Sequence, residues 1–173
     1  MTPFNVRELK STDTEALLAF EVVNREWFES HIDGRDPGFY SPEGVGEHID
    51  SYLSDFAKGV WHPFVIEDAS KTIVGRANLK DIDAAKGSAE VGYRVAQSAC
   101  GQGLATLALN HLIQQARIRW QLTQLVAYVY PENVGSRKVL ERCGFSPEEF
   151  AADEQAGAER RFVLSIAAAQ SAR

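Results

Sequence analysis

Two short segments of this 173-residue chain hold residue types whose spacing suggests chemistry. Gly101-Gln102-Gly103 stands between a strand-like run and a helix-like run. Glycines at such a junction let the backbone approach a ligand closely, and the unpaired amides at a helix start attract anions. Phosphate or pyrophosphate is the natural guest, and a tight turn with no ligand is the alternative. The residues that follow narrow the guest. A P-loop needs Lys-Ser or Lys-Thr after its last glycine, where Leu104-Ala105 stand. A dinucleotide fingerprint needs a third glycine, where Thr106 stands, and an acid about 20 residues on, where Gln124, Leu125 and Val126 stand. Both nucleotide readings fail, which leaves an anion held by amides alone. The second segment, Asn133-Val134-Gly135-Ser136-Arg137-Lys138-Val139-Leu140-Glu141-Arg142-Cys143-Gly144-Phe145, sets a hydroxyl in the first turn of a helix-like run.

Other constellations are weaker. His31, His48, His62 and His111 are scattered without metal-ligand spacing, so no metal site is expected; His48 and His111 fall in helical runs and are expected to face solvent. Cys100 adjoins the glycine turn but has no histidine placed near it, and a small buried residue is the expectation. No Gly-x-Ser-x-Gly elbow exists, which excludes a serine hydrolase of that kind.

Alternating and helical periodicities supply the elements that position these groups. Residues 4–9 read as a first strand, and Thr12-Asp13-Thr14-Glu15 has the form of a capping box before a helix with Ala16, Phe20, Val23 and Trp27 on one stripe. A loop rich in Gly, Asp and Pro follows (residues 33–40). Ser41 and Pro42 look like N-cap and first residue of a second helix, with Val45, Ile49, Tyr52, Leu53 and Phe56 as its apolar stripe. Strands are expected over 61–67, 72–79 and 88–95, the first two joined by a turn at 68–71. A helix follows the glycine turn, then a strand over 123–130, a helix opening near Asn133 with Gly144 as its C-terminal cap, a loop over 146–159 with five acids and no base, and a closing strand over 161–167. Tyr128 and Tyr130 alternate along their strand, and at least one is expected in the core. The strand–helix–strand unit implies one parallel pair, and the flanking hairpins make the sheet mixed.

Length and composition fit one domain over residues 1–173, with 45% hydrophobic and 24% charged residues. The net charge of −6 argues against duplex nucleic acid, which needs clustered Lys and Arg, and suits a cationic substrate such as an amine. No run approaches the roughly 20 apolar residues of a membrane span, and the first residues lack a leader's apolar core. No membrane partner and a cytoplasmic address are therefore expected.

The two chemistry-bearing segments resemble the acetyl-CoA-binding core of the GNAT superfamily of N-acetyltransferases: the glycine turn matches its pyrophosphate motif, and residues 133–145 match its Asn-x-x-Ser-x-x-Val-Leu-x-x-x-Gly-Phe motif. Within the superfamily the chain is similar to RimJ/RimL-type enzymes, which acetylate protein N-termini or small amines. Arg7-Glu8-Leu9 with Thr12-Asp13, Asn24-Arg25, Pro37-Gly38-Phe39-Tyr40 and Ala89-Glu90-Val91-Gly92-Tyr93 extend the likeness over nearly the whole chain. Ser98 stands where many members have Arg or Gln.

The resemblance implies a single α/β domain with a mixed, mostly antiparallel sheet, helices on both faces and a splayed parallel pair at the acetyl-CoA site. It implies direct transfer from acetyl-CoA to a primary amine, the α-amine of a ribosomal-type Ala or Ser N-terminus or a small amine. Tyr93, Arg94 and Val95 would meet the pantetheine arm and thioester, Gly101, Gln102, Gly103, Leu104, Ala105 and Thr106 the pyrophosphate, and Asn133 the pantetheine end. Ser136 would protonate the leaving thiolate; capping its helix is the alternative. Glu90, flanked by Ala89 and Val91, is the candidate base through a raised pKa, an ion-paired strand glutamate or a water chain being the alternatives. Phe39, Tyr40 and Tyr130 are candidates to line the acceptor site. A catalytically silent acyl-CoA-binding module is the rival function, and both monomer and homodimer stay open.

Overall fold

The computed structural model describes residues 4–30, 34–148 and 159–167. Among them, seven strands form one sheet: β1 (Asn5–Glu8), β2 (His62–Glu67), β3 (Ile73–Asp83), β4 (Ser88–Val95), β5 (Gln124–Val129), β6 (Ser146–Pro147) and β7 (Arg160–Ser165). The order is β1-β2-β3-β4-β5-β7-β6. All neighbours are antiparallel except β4 and β5, the expected parallel pair with its crossover helix. The helices are α1 (Thr14–Val23), α2 (Arg25–Glu29), α3 (Pro42–Ala57), α4 (Leu104–Ile118) and α5 (Val134–Arg142). Helices cover both faces of the sheet. Residues of α1 and α3 meet Arg76 of β3 from one side. His111 of α4 stands edge-on to Phe64, the cross-strand neighbour of Ala77, on the other. Leu17, Ile49, Ile66, Leu79, Leu109, Leu112, Leu125, Leu140 and Phe162 are fully buried between these layers.

Local signals account for most element ends. The Ser41 Oγ accepts the Gly44 N–H at 2.9 Å, with Pro42 as first helical residue. Gly144 takes φ +98° after α5, and the N–H groups of Gly144 and Phe145 close on the carbonyls of Glu141 and Leu140, a Schellman stop that returns Phe145 to the core.

Four local expectations need correction. Asp13, held by two 2.9 Å bonds from Arg7, accepts the Lys10 N–H at 2.8 Å, so the turn before α1 closes two residues earlier than Thr12 to Glu15. The buried stripe of the first helical segment is Leu17, Phe20, Glu21, Asn24 and Phe28, while Val23 is 80% exposed; the inward face includes a carboxylate that hydrophobic periodicity cannot see. His48 and His111 do not simply face solvent: His48 packs on Tyr52 and Phe39, and His111 on Phe64. Residues 146–147, read as loop, form β6 by pairing with β7. Of the acidic segment, residues 149–158 lie outside the described residues.

Candidate active site

The site opens where the parallel pair comes apart. β4 and β5 are in register only from Ser88↔Gln124 to Glu90↔Val126, although β4 runs on to Val95 and β5 to Val129. Beyond that point β4 has no ladder partner on its β5 side, which leaves main-chain groups of residues 92–95 facing a cleft. A cavity of about 690 Å³ fills it, lined by Glu90, Tyr93, Arg94, Val95, Asn133 and Ser136 among others.

The glycine turn flanks this cavity. Gly101 and Gly103 take φ +81° and +76°, the left-handed region that costs an L side chain about 1–2 kcal/mol. A Cβ at either would meet nothing within 4 Å, so conformation and an open approach, rather than crowding, account for glycine there. α4 begins at Leu104 with no side-chain cap, so its first amides carry no partner from a capping residue. Cys100 and Ala105 belong to the cavity wall; Gly101, Gln102 and Gly103 are exposed beside it, Thr106 is half-buried, and the Leu104 side chain is buried in the core. An uncapped helix start next to a half-open cleft fits a long ligand with an anionic head.

On the α5 side, the Asn133 side chain accepts the Ser136 N–H at 3.2 Å and caps α5. Capping therefore falls to Asn133, which leaves the Ser136 hydroxyl for another task. That hydroxyl lies 2.9 Å from the Tyr93 hydroxyl, one donating to the other. Burial pushes the Tyr93 phenol up, against the Ser136 bond, so it stays protonated at neutral pH. The side chain of Tyr93, named from sequence for its backbone alone, thus joins the polar centre. Nothing local announces a contact between residues 43 apart.

Glu90, Gly92 and Arg94 share the opposite face of β4. Burial pushes the Glu90 carboxyl above the usual carboxylate range; Asp81 and Glu159 act in the same direction and Lys80 against it. Lys80 is the cross-strand neighbour of Glu90, and its terminal carbons lie over Gly92, where any side chain would strike them. Glu159, from the segment read only as an acidic loop, also lines the cavity.

Two strand residues further on, Arg94 of β4 stands directly opposite Arg76 of β3. Like charges at such positions repel. The pair is held by the carboxylate of Glu21, 1% exposed: Oε1 accepts from Arg76 at 2.9 Å and from Arg35 at 3.3 Å, and Oε2 from Arg94 at 3.3 Å. His48 lies 2.7 Å from the far nitrogen of Arg76 and is pushed down to about 3 by burial and by the charges of Arg76, Arg35 and Arg94. It is neutral and accepts. Three guanidiniums therefore share one carboxylate at the cavity wall of a chain whose net charge is −6. This wall is opposite in sign to the net charge from which a cationic acceptor is expected.

The remaining candidates divide. Tyr130 lines the cavity, and so does Tyr128. Neither is in the core, since residues two apart share a face and the buried face of the strand belongs to Ala127 and Val129. Phe39 and Tyr40 are not among the lining residues; Phe39 carries the Arg35 guanidinium on its ring and Tyr40 that of Arg25, one layer behind. Cys100 is exposed rather than buried, with its thiol pushed up, which keeps it a thiol and not a nucleophilic thiolate.

Residues 4–146 match the family model described as the acetyltransferase (GNAT) domain. The chain is 32% identical to the probable N-acetyltransferase YjcK of Bacillus subtilis over 84% of this chain and 82% of that protein. It is 26% identical to the [ribosomal protein uS5]-alanine N-acetyltransferase of Escherichia coli over 86% and 77%. Its fold superposes on Mycobacterium smegmatis RimJ, solved in complex with CoA-disulfide, with a TM-score of 0.82, 25% identity, and coverage of 95% of this chain and 84% of that one. With a matching sheet, a cleft at the splayed strands and a glycine turn at the head of α4, this chain belongs to the GNAT acetyltransferase family and is an N-acetyltransferase that uses acetyl-CoA.

Proposed function

We propose that the chain transfers the acetyl group to a primary amine by direct attack with both substrates bound, the acceptor being a protein N-terminal α-amine or a small amine. The observation that carries this reading is the arrangement about β4: one cavity is reached by a raised carboxylate from one face of the strand and by paired hydroxyls from the other. Acetyl-CoA supplies the activated thioester. The amides of the glycine turn and the first turn of α4, from Gly101 to Thr106, hold its pyrophosphate, and the open edge of β4 at Tyr93, Arg94 and Val95 binds its pantetheine arm beside Asn133. Glu90 takes the proton from the incoming ammonium, directly or through a water, and its raised pKa brings it closer to the operating pH. Ser136, tied to Tyr93, gives a hydrogen bond to the leaving sulfur. Relatives named for ribosomal-protein alanine acetylation support the α-amine as acceptor.

Thermal unfolding with acetyl-CoA, CoA and ATP tests the foundation. Ligand at a hundred times its Kd adds about 2.7 kcal/mol, a rise on the order of 5–10 °C for a domain of this size. Acetyl-CoA and CoA should give that rise and ATP should not. Gly103→Val, strained at positive φ, should abolish it. A stable protein indifferent to acetyl-CoA would remove the reading.

A further inference from the structure

The arginine wall says what else the acceptor carries. Resting on the transferase reading above, we propose that the amine acceptor also bears a carboxylate, and that Arg35 and Arg94 bind it, with the buried Arg76 adding its charge from behind. The three guanidiniums share one buried carboxylate, Glu21, and His48 is neutral beside them, so among the described residues the cluster holds two positive charges without a counter-ion in contact. Charge left that way beside a cavity is costly unless a ligand completes it. The donors needed are in place. Of five N–H groups on each guanidinium, Arg35 and Arg94 give one apiece to Glu21, and the Arg35 Nε is buried with no acceptor among the described residues.

Shape agrees with charge. Each guanidinium carbon lies over an aromatic ring, that of Arg94 over Phe28 at 4.7 Å, that of Arg35 over Phe39 at 4.4 Å and that of Arg76 over Tyr52 at 5.4 Å. A guanidinium backed by a ring keeps its N–H groups for an in-plane acceptor, and a carboxylate can take two of them in parallel. Burial holds Arg94 down at about 10, a further sign of charge short of solvation. Position agrees as well. Arg94 shares the Glu90 face of β4, four residues along the strand, so an amine delivered to Glu90 trails its anionic group toward the arginines. The same wall repels a polyamine.

CoA release with acetyl-CoA and matched acceptors tests the proposal and separates its two sources of carboxylate. The small-molecule arm compares alanine with ethylamine and 4-aminobutanoate with propylamine. The peptide arm compares peptides starting Ala-Glu with those starting Ala-Gln, and spermidine is included as the opposite charge. In at least one arm the carboxylate member should have a kcat/KM about 30-fold higher or more, as expected for charge-assisted bonds. Arg94→Gln and the more exposed Arg35→Gln should each cut that ratio about tenfold through KM, and Arg35→Gln should keep the acetyl-CoA stabilisation, which reports folding. Equal or better use of carboxylate-free amines, spermidine included, with acetyl-CoA still bound overturns the proposal and leaves the transferase reading intact. Absence of acetyl-CoA binding, or of turnover with every acceptor, overturns both.

Discussion

The two faces of β4 make an instructive contrast. On one, Tyr93 reaches a single neutral partner, Ser136, and the pair closes on itself at 2.9 Å. On the other, Glu90 and Arg94 belong to charged groups drawn from α1, β3 and the loop at Arg35, with neutral His48 of α3 beside them. The neutral face is local in composition: a motif on α5 and one strand residue suffice. The charged face exists only because helices from the first third of the chain are folded down on the sheet. In the proposed reading, chemistry common to the family resides in the first and selection among amines in the second, where each charge is set by neighbours remote in sequence.

Substitutions separate the two faces. The largest effect is expected at Glu21→Ala, which leaves three guanidiniums with no common anion; losing one partner of a buried ion pair costs about 3–5 kcal/mol. For a chain of this size that is a fall in Tm on the order of 10 °C, read by calorimetry. A fall of a degree or less would mean that the arginines do not depend on Glu21 and that the charged face is looser than its distances suggest. Next comes Glu90→Gln, which should lower kcat about 100-fold. The carboxyl is held above its ordinary range, so the wild-type rate should climb with pH as it ionises, and the variant should lose that limb of the profile. An unchanged rate and profile would pass the base role to water. The smallest effect belongs to the neutral face: Ser136→Ala should reduce kcat roughly tenfold with acetyl-CoA affinity preserved, since one hydrogen bond to a charged sulfur is lost. Tyr93→Phe should do about the same, and the double variant should be little worse than either, because the two hydroxyls act as one unit.

Legibility followed the same division. The glycine turn was readable because left-handed backbone is a property of the residue itself, and Gly101 and Gly103 take it. The Asn133 to Phe145 motif was readable because caps and Schellman stops are closed by residues within one turn. The N-terminal third is less legible. Periodicity put Val23 inside, whereas Glu21 is the buried residue, since a stripe search counts apolar residues and Glu21 is polar. The Tyr128 and Tyr130 pair misled for another reason: alternation says that they share a face, not which face the core takes.

By itself the sequence determined the order and type of most elements, the mixed sheet with one parallel pair, the glycine turn, and the cap and stop of α5. These depend on backbone preference and on hydrogen bonds between near neighbours, which act over a few residues wherever the chain goes. The tertiary structure alone decided that Tyr93 meets Ser136, that the Glu90 carboxyl is raised, and that Arg35, Arg76 and Arg94 converge on Glu21. Contacts spanning 14 to 73 positions have no local signature, and the energy of a charge depends on burial and on what lies within a few ångströms. Hence a chain with net charge −6 can present a cationic wall to its substrate: net charge is a sum over residues, and a binding site feels only those that folding brings near.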